Sequence, residues 1–169
     1  MAHHDDLLVL ARYLVDENSM KTVEAPSRRA ISTAYYALFH LLIHEATIRL
    51  VQVDDIRPRV ARTFDHNIMR KVCQEYATAT EEEGEQFRLK ITGILIPKGL
   101  FNIASTFVAL QEARIQADYN LLDSLSNADA LLNVERAEAA FEDWQRVETQ
   151  AVTNGFLSEL WCRGIPKRG

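Results

Sequence analysis

Arg57, Arg59 and Arg62 fall within one six-residue stretch, and His66 follows four residues after the last of them. The chain carries a net charge of -5, so it has no overall attraction for phosphate. Any anion site must therefore be local, and this is the most basic stretch available. Guanidinium groups so placed hold a phosphate, or they line a solvated loop; the residue types alone leave both readings open. For His66 the choice lies between proton transfer or phosphate contact and a hydrogen bond to nearby backbone or to Asp65. A second set runs along one stretch, Arg29, Thr33, Tyr36, His40 and His44, spaced by four, three, four and four. In a helix that spacing makes a polar and aromatic stripe beside the buried face. A third set is Arg114, Asp118 and Tyr119. An exposed i, i+4 pair of this kind adds only about 0.2–0.5 kcal/mol, and Arg before Asp is the weaker order. Packed against Tyr36 and Arg29, the same residues would form a buried polar network that fixes helix packing.

Other chemistries find little footing. The histidines lack metal-ligand spacing, no HExxH occurs, and no glycine-rich loop follows a strand. Ser32 and Thr33 fall mid-helix, without the sharp turn that exposes a nucleophilic serine. Cys73 and Cys162 have no CxxC spacing and read as reduced thiols, Cys73 as a core residue. No metal or other cofactor is expected. No apolar run approaches the roughly 20 residues of a membrane span, and the N-terminus lacks the basic start of a signal peptide. The expectation is a cytoplasmic protein without a membrane segment.

The elements that must position these residues are helical. With 47% hydrophobic residues, six glycines and four prolines in 169 residues, the composition favours an all-α fold with one core. The reading is a single domain over 1–169: an up-and-down bundle of four to five helices over about 5–153, then an amphipathic tail at 154–169. The first helix is expected over 5–18. The second begins near Pro26 and runs to about Val51, burying Ile31, Ala34, Tyr35, Leu38, Leu41 and Leu42. Residues 52–63 form a loop or short helix. The third helix spans about 64–80, with Asp65 as a plausible cap and Ile68, Val72, Cys73 and Tyr76 as its apolar line. Residues 81–101 are expected to lack regular structure. They hold an acidic run, Glu81 to Glu85, that suits a solvated helix end, and a segment, ITGILIPKGL, that suits an extended loop or a flap. No convincing strand is found. The fourth helix is expected over 102–119. The fifth runs over about 128–153 along Leu131, Val134, Ala137, Phe141, Trp144, Val147 and Ala151, with Gly155 stopping it. In the tail, Phe156, Leu157, Leu160 and Trp161 make a further helical turn that folds back on the bundle or hooks a partner chain.

Three segments in this order resemble the HEPN family of small helical domains. Arg29-Ala30-Ile31-Ser32-Thr33-Ala34-Tyr35-Tyr36-Ala37-Leu38-Phe39-His40 is similar to the family's second-helix pattern. Phe64-Asp65-His66-Asn67-Ile68-Met69 is similar to its histidine-bearing third-helix start. Arg114-Ile115-Gln116-Ala117-Asp118-Tyr119 is similar to its Arg-x-x-Ala-Asp-Tyr ending. The resemblance implies a helical bundle, often a homodimer, that binds RNA or nucleotide. Catalytic members are metal-independent endoribonucleases of toxin type carrying Arg-x(4–6)-His. In them the histidine moves the 2′-hydroxyl proton and the arginine stabilises charge on the phosphorus. Here Arg59 and His66 meet the spacing, with Val60 where a polar residue is usual. Arg62 is followed by polar Thr63, but only three residues separate it from His66. Ile68 occupies the place of a tyrosine that some toxins carry. The residues implied are His66, Arg59 and Arg62 for catalysis, Arg57, Arg59, Arg62, Tyr36 and His40 for phosphate or RNA, and Arg29, Arg114, Asp118 and Tyr119 in support. The alternative implied is a non-catalytic dimeric module that pairs with a nucleotidyltransferase or another defence-system component.

Overall fold

The computed structural model describes residues 2–18, 23–78, 80–84, 86–90, 92–120 and 122–163, the side chain of Thr80 excepted. Most of the connector expected at 19–25, part of the acidic run and the end of the tail lie outside the described residues. The fold is all-α, with one small sheet. In chain order the elements are α1 (His3–Glu17), α2 (Glu24–Leu50), a 3-10 turn (Asp54–Ile56), α3 (Arg57–Ala61), α4 (His66–Thr78), β1 (Thr80–Glu83), β2 (Gln86–Leu89), β3 (Leu95–Pro97), α5 (Lys98–Tyr119), α6 (Asn127–Val147) and α7 (Ala151–Cys162).

The chain clusters into two compact units, residues 1–41 with 106–142 and residues 42–105 with 143–169. In the first unit, the apolar line read from the sequence is the buried face of α2: Ile31, Ala34, Tyr35, Leu38 and Leu41 are all nearly inaccessible. Ala11 and Val15 of α1, Phe107, Leu110 and Ala117 of α5, and Ala130, Val134 and Ala137 of α6 complete that core. Tyr35 packs edge-on to Phe107 at 5.6 Å between ring centroids. Arg12 of α1 holds Glu138 of α6 through two nitrogens, Nε at 2.9 Å. Asn18 donates to the Val23 carbonyl at 2.9 Å and to the Ser27 hydroxyl at 3.1 Å, closing the chain between α1 and α2.

The second unit contains the sheet that the sequence reading missed. β1, β2 and β3 form an antiparallel meander in which Glu82 faces Phe87 and Phe87 faces Ile96. Gly84 and Gly93, with φ of 63° and 71°, make the two reversals in a conformation that suits glycine. Phe87 stacks on Phe101 of α5 at 4.0 Å, and Leu89 and Ile96 are buried. Glu81, Glu82 and Glu83, read as part of a helix end, are strand residues, and the first and last of them meet cations across the sheet. Glu83 pairs with Arg88 at 2.5 Å and Glu81 lies 3.9 Å from Lys90.

Two further expectations are corrected here. The fifth helix does not run on to residue 153; α6 ends at Val147 and α7 begins at Ala151. Thr153 makes the break by donating its hydroxyl to the Val147 carbonyl at 2.7 Å and its amide to the Gln150 carbonyl at 3.0 Å. Gly155 therefore stops nothing, and it lies inside α7. The tail folds back: Phe156, Leu157 and Leu160 are buried in the second unit, and Phe156 meets Tyr76 of α4 at 4.8 Å.

Candidate functional site

In the second unit the basic segment is ordered. Three residues of 3-10 turn lead into α3, with Pro58 in its first turn, where a missing amide costs nothing. Arg57 does not share the surroundings of its neighbours. Its Nε donates to the Val51 carbonyl at 3.0 Å, one Nη to the Ile48 carbonyl at 3.4 Å, and the other Nη pairs with Asp54 at 2.7 Å. It thus covers carbonyls left open at the end of α2. Arg59 and Arg62 are both exposed. Among the described residues neither has a carboxylate partner, whereas Arg12, Arg28, Arg49, Arg88, Arg114, Arg146 and Arg163 each rest against one.

His66 is the first residue of α4 and is partly exposed. Asp65 caps that helix as expected, its Oδ1 accepting from the amides of Asn67 at 2.9 Å and Ile68 at 3.0 Å. Three residues of chain, Thr63 to Asp65, separate Arg62 from His66, so their Cα atoms lie within about 14 Å of each other. Between them, Thr63 donates its hydroxyl to the Val60 carbonyl at 2.7 Å and its amide to the same oxygen at 2.9 Å. That hydroxyl also accepts the indole N–H of Trp161, from α7, at 3.0 Å. The turn between the last arginine and the histidine is therefore pinned from both sides.

The first unit gathers Tyr36, Arg114, Asp118 and Tyr119. Arg114 donates to the Tyr36 hydroxyl at 2.9 Å and pairs with Asp118 at 2.7 Å. Its guanidinium lies 5.5 Å from the Tyr36 ring and 5.4 Å from the Tyr119 ring. Ser32 donates to the other oxygen of Asp118. Burial pulls the Arg114 pKa down, but Tyr36, Asp118 and Tyr119 outweigh it, and the net shift is upward. Arg29 takes no part in this group. It is exposed, and Ser32 supplies the polar contact from α2 instead. Tyr119 is 70% exposed, so the network is open on its outer side. His40 is partly exposed, stacked on Tyr36 at 6.3 Å and edge-on to His3 at 5.1 Å.

Arg28 carries more of the structure than Arg29, and the sequence reading passed over it. It donates to the carbonyls of Ala117 at 2.9 Å, Asn120 at 2.9 Å and Asp123 at 2.5 Å, tying α2 to the end of α5. Glu24, one turn earlier, pairs with Arg28 at 2.6 Å and accepts the Leu125 amide at 2.8 Å. The Leu125 amide and then Arg28 hold the Glu24 carboxyl below its usual pKa. The signal that could have found Arg28 is its i, i+4 spacing from Glu24. On α4, burial raises the pKa of the Tyr76 phenol, with Glu159 adding to the rise, and burial raises that of the Cys73 thiol. Cys73 is inert core on this geometry.

Among the described residues, no group of three or more His, Cys, Asp or Glu side chains is placed to hold a metal ion, and no helix is long and apolar enough to cross a membrane. No protein-family model, no curated protein and no solved structure matches the chain.

Proposed function

We propose that this chain is a HEPN-like helical protein that binds RNA or nucleotide through Arg59 and Arg62. The observation that carries the reading is their shared lack of carboxylate partners: Arg59 and Arg62, both exposed and close in sequence, have none among the described residues, whereas the other exposed arginines without one, Arg29 and Arg136, stand apart from each other in the chain. A phosphate arriving there breaks no ion pair. Arginine suits the task, since its planar fork takes two phosphate oxygens at once.

The activity we propose for testing is metal-independent strand cleavage with His66 as the proton-transfer group. The 2′-oxygen attacks the adjacent phosphorus as His66 takes its proton. The 5′-oxygen leaves with a proton from solvent or from a second histidine site in a homodimer. Arg59 and Arg62 stabilise the negative charge that builds on the phosphoryl oxygens. The binding part is tested by anisotropy of a labelled single-stranded RNA over a salt series. Each phosphate contact removed should flatten the slope of log K against log salt by about 0.7. Arg59→Gln with Arg62→Gln should therefore flatten it by about 1.4. An unchanged slope, or no binding by the wild type, overturns the reading. Cleavage is tested in EDTA with wild type and His66→Ala, both checked for helicity. Equal cleavage, or none by either, removes the ribonuclease step.

A second reading is a non-catalytic dimeric interaction module pairing with a nucleotidyltransferase or other defence component. The outward side of α1 favours it, since Val9 and Tyr13 are each 57% exposed and Leu10 is 44% exposed. Sedimentation of the wild type and a Val9→Ser, Tyr13→Ser variant tests it. A monomer in both would count against the dimer.

A further inference from the structure

We infer that α7 is a strap that fixes the turn carrying Arg62, with Trp161 and Thr63 as positioning residues for the phosphate contact; this rests on the binding reading of Arg59 and Arg62. The strap is anchored to α4 by groups of three kinds. Phe156 packs on Tyr76, and the Tyr76 hydroxyl donates to Glu159 at 3.0 Å. Arg163 bridges Glu75 of α4 and Glu159 of its own helix. Leu157 and Leu160 are buried alongside. These contacts fix α7 to the helix that begins with His66. The last turn of the strap then delivers one directed contact, the indole N–H of Trp161 on the Thr63 hydroxyl at 3.0 Å.

That contact has a consequence for Arg62. The Thr63 hydroxyl is a donor to Val60 and an acceptor from Trp161, so its hydrogen and a lone pair are both used. The backbone from Val60 to Thr63 is held on one side by α3 and on the other by α7. Arg62 lies inside this closed segment, and its flexible side chain extends from a fixed Cα. A guanidinium on a fixed stem loses less freedom when it meets a phosphate than one on a mobile loop. The indole N–H is the element of α7 that makes this contact, while the apolar residues of α7 serve the core.

Trp161→Phe keeps an aromatic ring and removes the donor together with the five-membered ring that carries it. One neutral hydrogen bond changes an opening equilibrium by roughly three- to tenfold. Limited trypsin digestion followed by mass spectrometry reads this directly, because trypsin cuts after Arg62. Relative to the cut after Lys98 in the same digest, the Arg62 cut should speed up by about three- to tenfold in Trp161→Phe. An unchanged ratio overturns the strap. RNA affinity supplies the second readout. Trp161→Phe should weaken binding about threefold in the wild-type background and leave it unchanged in an Arg62→Gln background. Equal losses in both backgrounds mean that Trp161 acts through general stability, which overturns the positioning role. If the wild type binds no RNA, the proposed function falls and the strap stands or falls on the Arg62 cut alone.

Discussion

Replacing Gly155 by alanine should stabilise this protein. Gly155 lies inside α7, its φ is not positive, and a Cβ built on it meets nothing within 4 Å. The substitution therefore brings no clash and no strain. It removes backbone freedom from the unfolded chain and improves helix propensity, which together are worth about 0.5–1 kcal/mol. For a chain of this size 1 kcal/mol moves Tm by roughly 2–4 °C, so the expected rise is about 1–4 °C. The matched control is Gly99→Ala at the start of α5. There the new Cβ would stand 2.8 Å from Val147 Cγ1 and 3.4 Å from the Asp143 carbonyl oxygen. Overpacking of that kind costs about 1–3 kcal/mol, and Tm should fall. Differential scanning calorimetry on both variants reads the two signs. A fall for Gly155→Ala would refute the placement of this glycine within a continuous α7, and would restore it as a helix stop.

The other predictions concern charges and anchors. Stability should hold above about pH 4.3, the usual glutamate value, and fall as pH drops through the depressed value of Glu24 in the folded chain. Glu24→Gln should make that acid limb shallower in urea melts taken from pH 6 down to 3. Arg28→Met should cost about 2–4 kcal/mol, read from chemical denaturation, because the carbonyls of Ala117 and Asn120 each lose a charged donor. Arg114→Gln should lower stability yet leave RNA affinity within about twofold. Equal damage to RNA affinity by Arg114→Gln and by Arg62→Gln would place phosphate binding in the first unit.

The parts of this fold that could be read from the sequence are those set by local pattern. Ile31, Ala34, Tyr35, Leu38 and Leu41 repeat at helical spacing and are buried together. Asp65 caps α4 because the cap depends only on the next three residues. What could not be read depends on partners beyond the neighbouring helical turn, reached only once the chain has bent. β1 is Thr-Glu-Glu-Glu, a poor strand by propensity, and its pairing comes from Arg88 and from the fit of Phe87 on Phe101. The break before α7 depends on Thr153 reaching back to Val147, at a place with no glycine or proline. At the site, Arg57, Arg59 and Arg62 look alike as letters. The carbonyls of Ile48 and Val51 separate the first from the other two, and only the turn of the chain after α2 brings those carbonyls to Arg57.

That separation bears on how an acidic chain can keep a phosphate site. With 24 acidic and 19 basic side chains, most arginines will find a carboxylate unless geometry prevents it. Arg114 shows the usual result: Asp118 lies one turn away on the same helix and takes it at 2.7 Å. To bind a phosphate, Arg114 would have to give up that pair and its bond to Tyr36, and the exchange would gain little. Of the acids nearest Arg59 and Arg62 in the chain, Asp54, Asp55 and Asp65, two are used elsewhere. Asp54 is spent on Arg57, and Asp65 on the first amides of α4. Arg57 and the α4 cap therefore affect the site without touching a ligand, because each occupies a carboxylate that would otherwise compete with phosphate. On this reasoning Asp54 and Asp65 are part of what keeps Arg59 and Arg62 available, while Asp55, four residues before Arg59, is exposed to solvent.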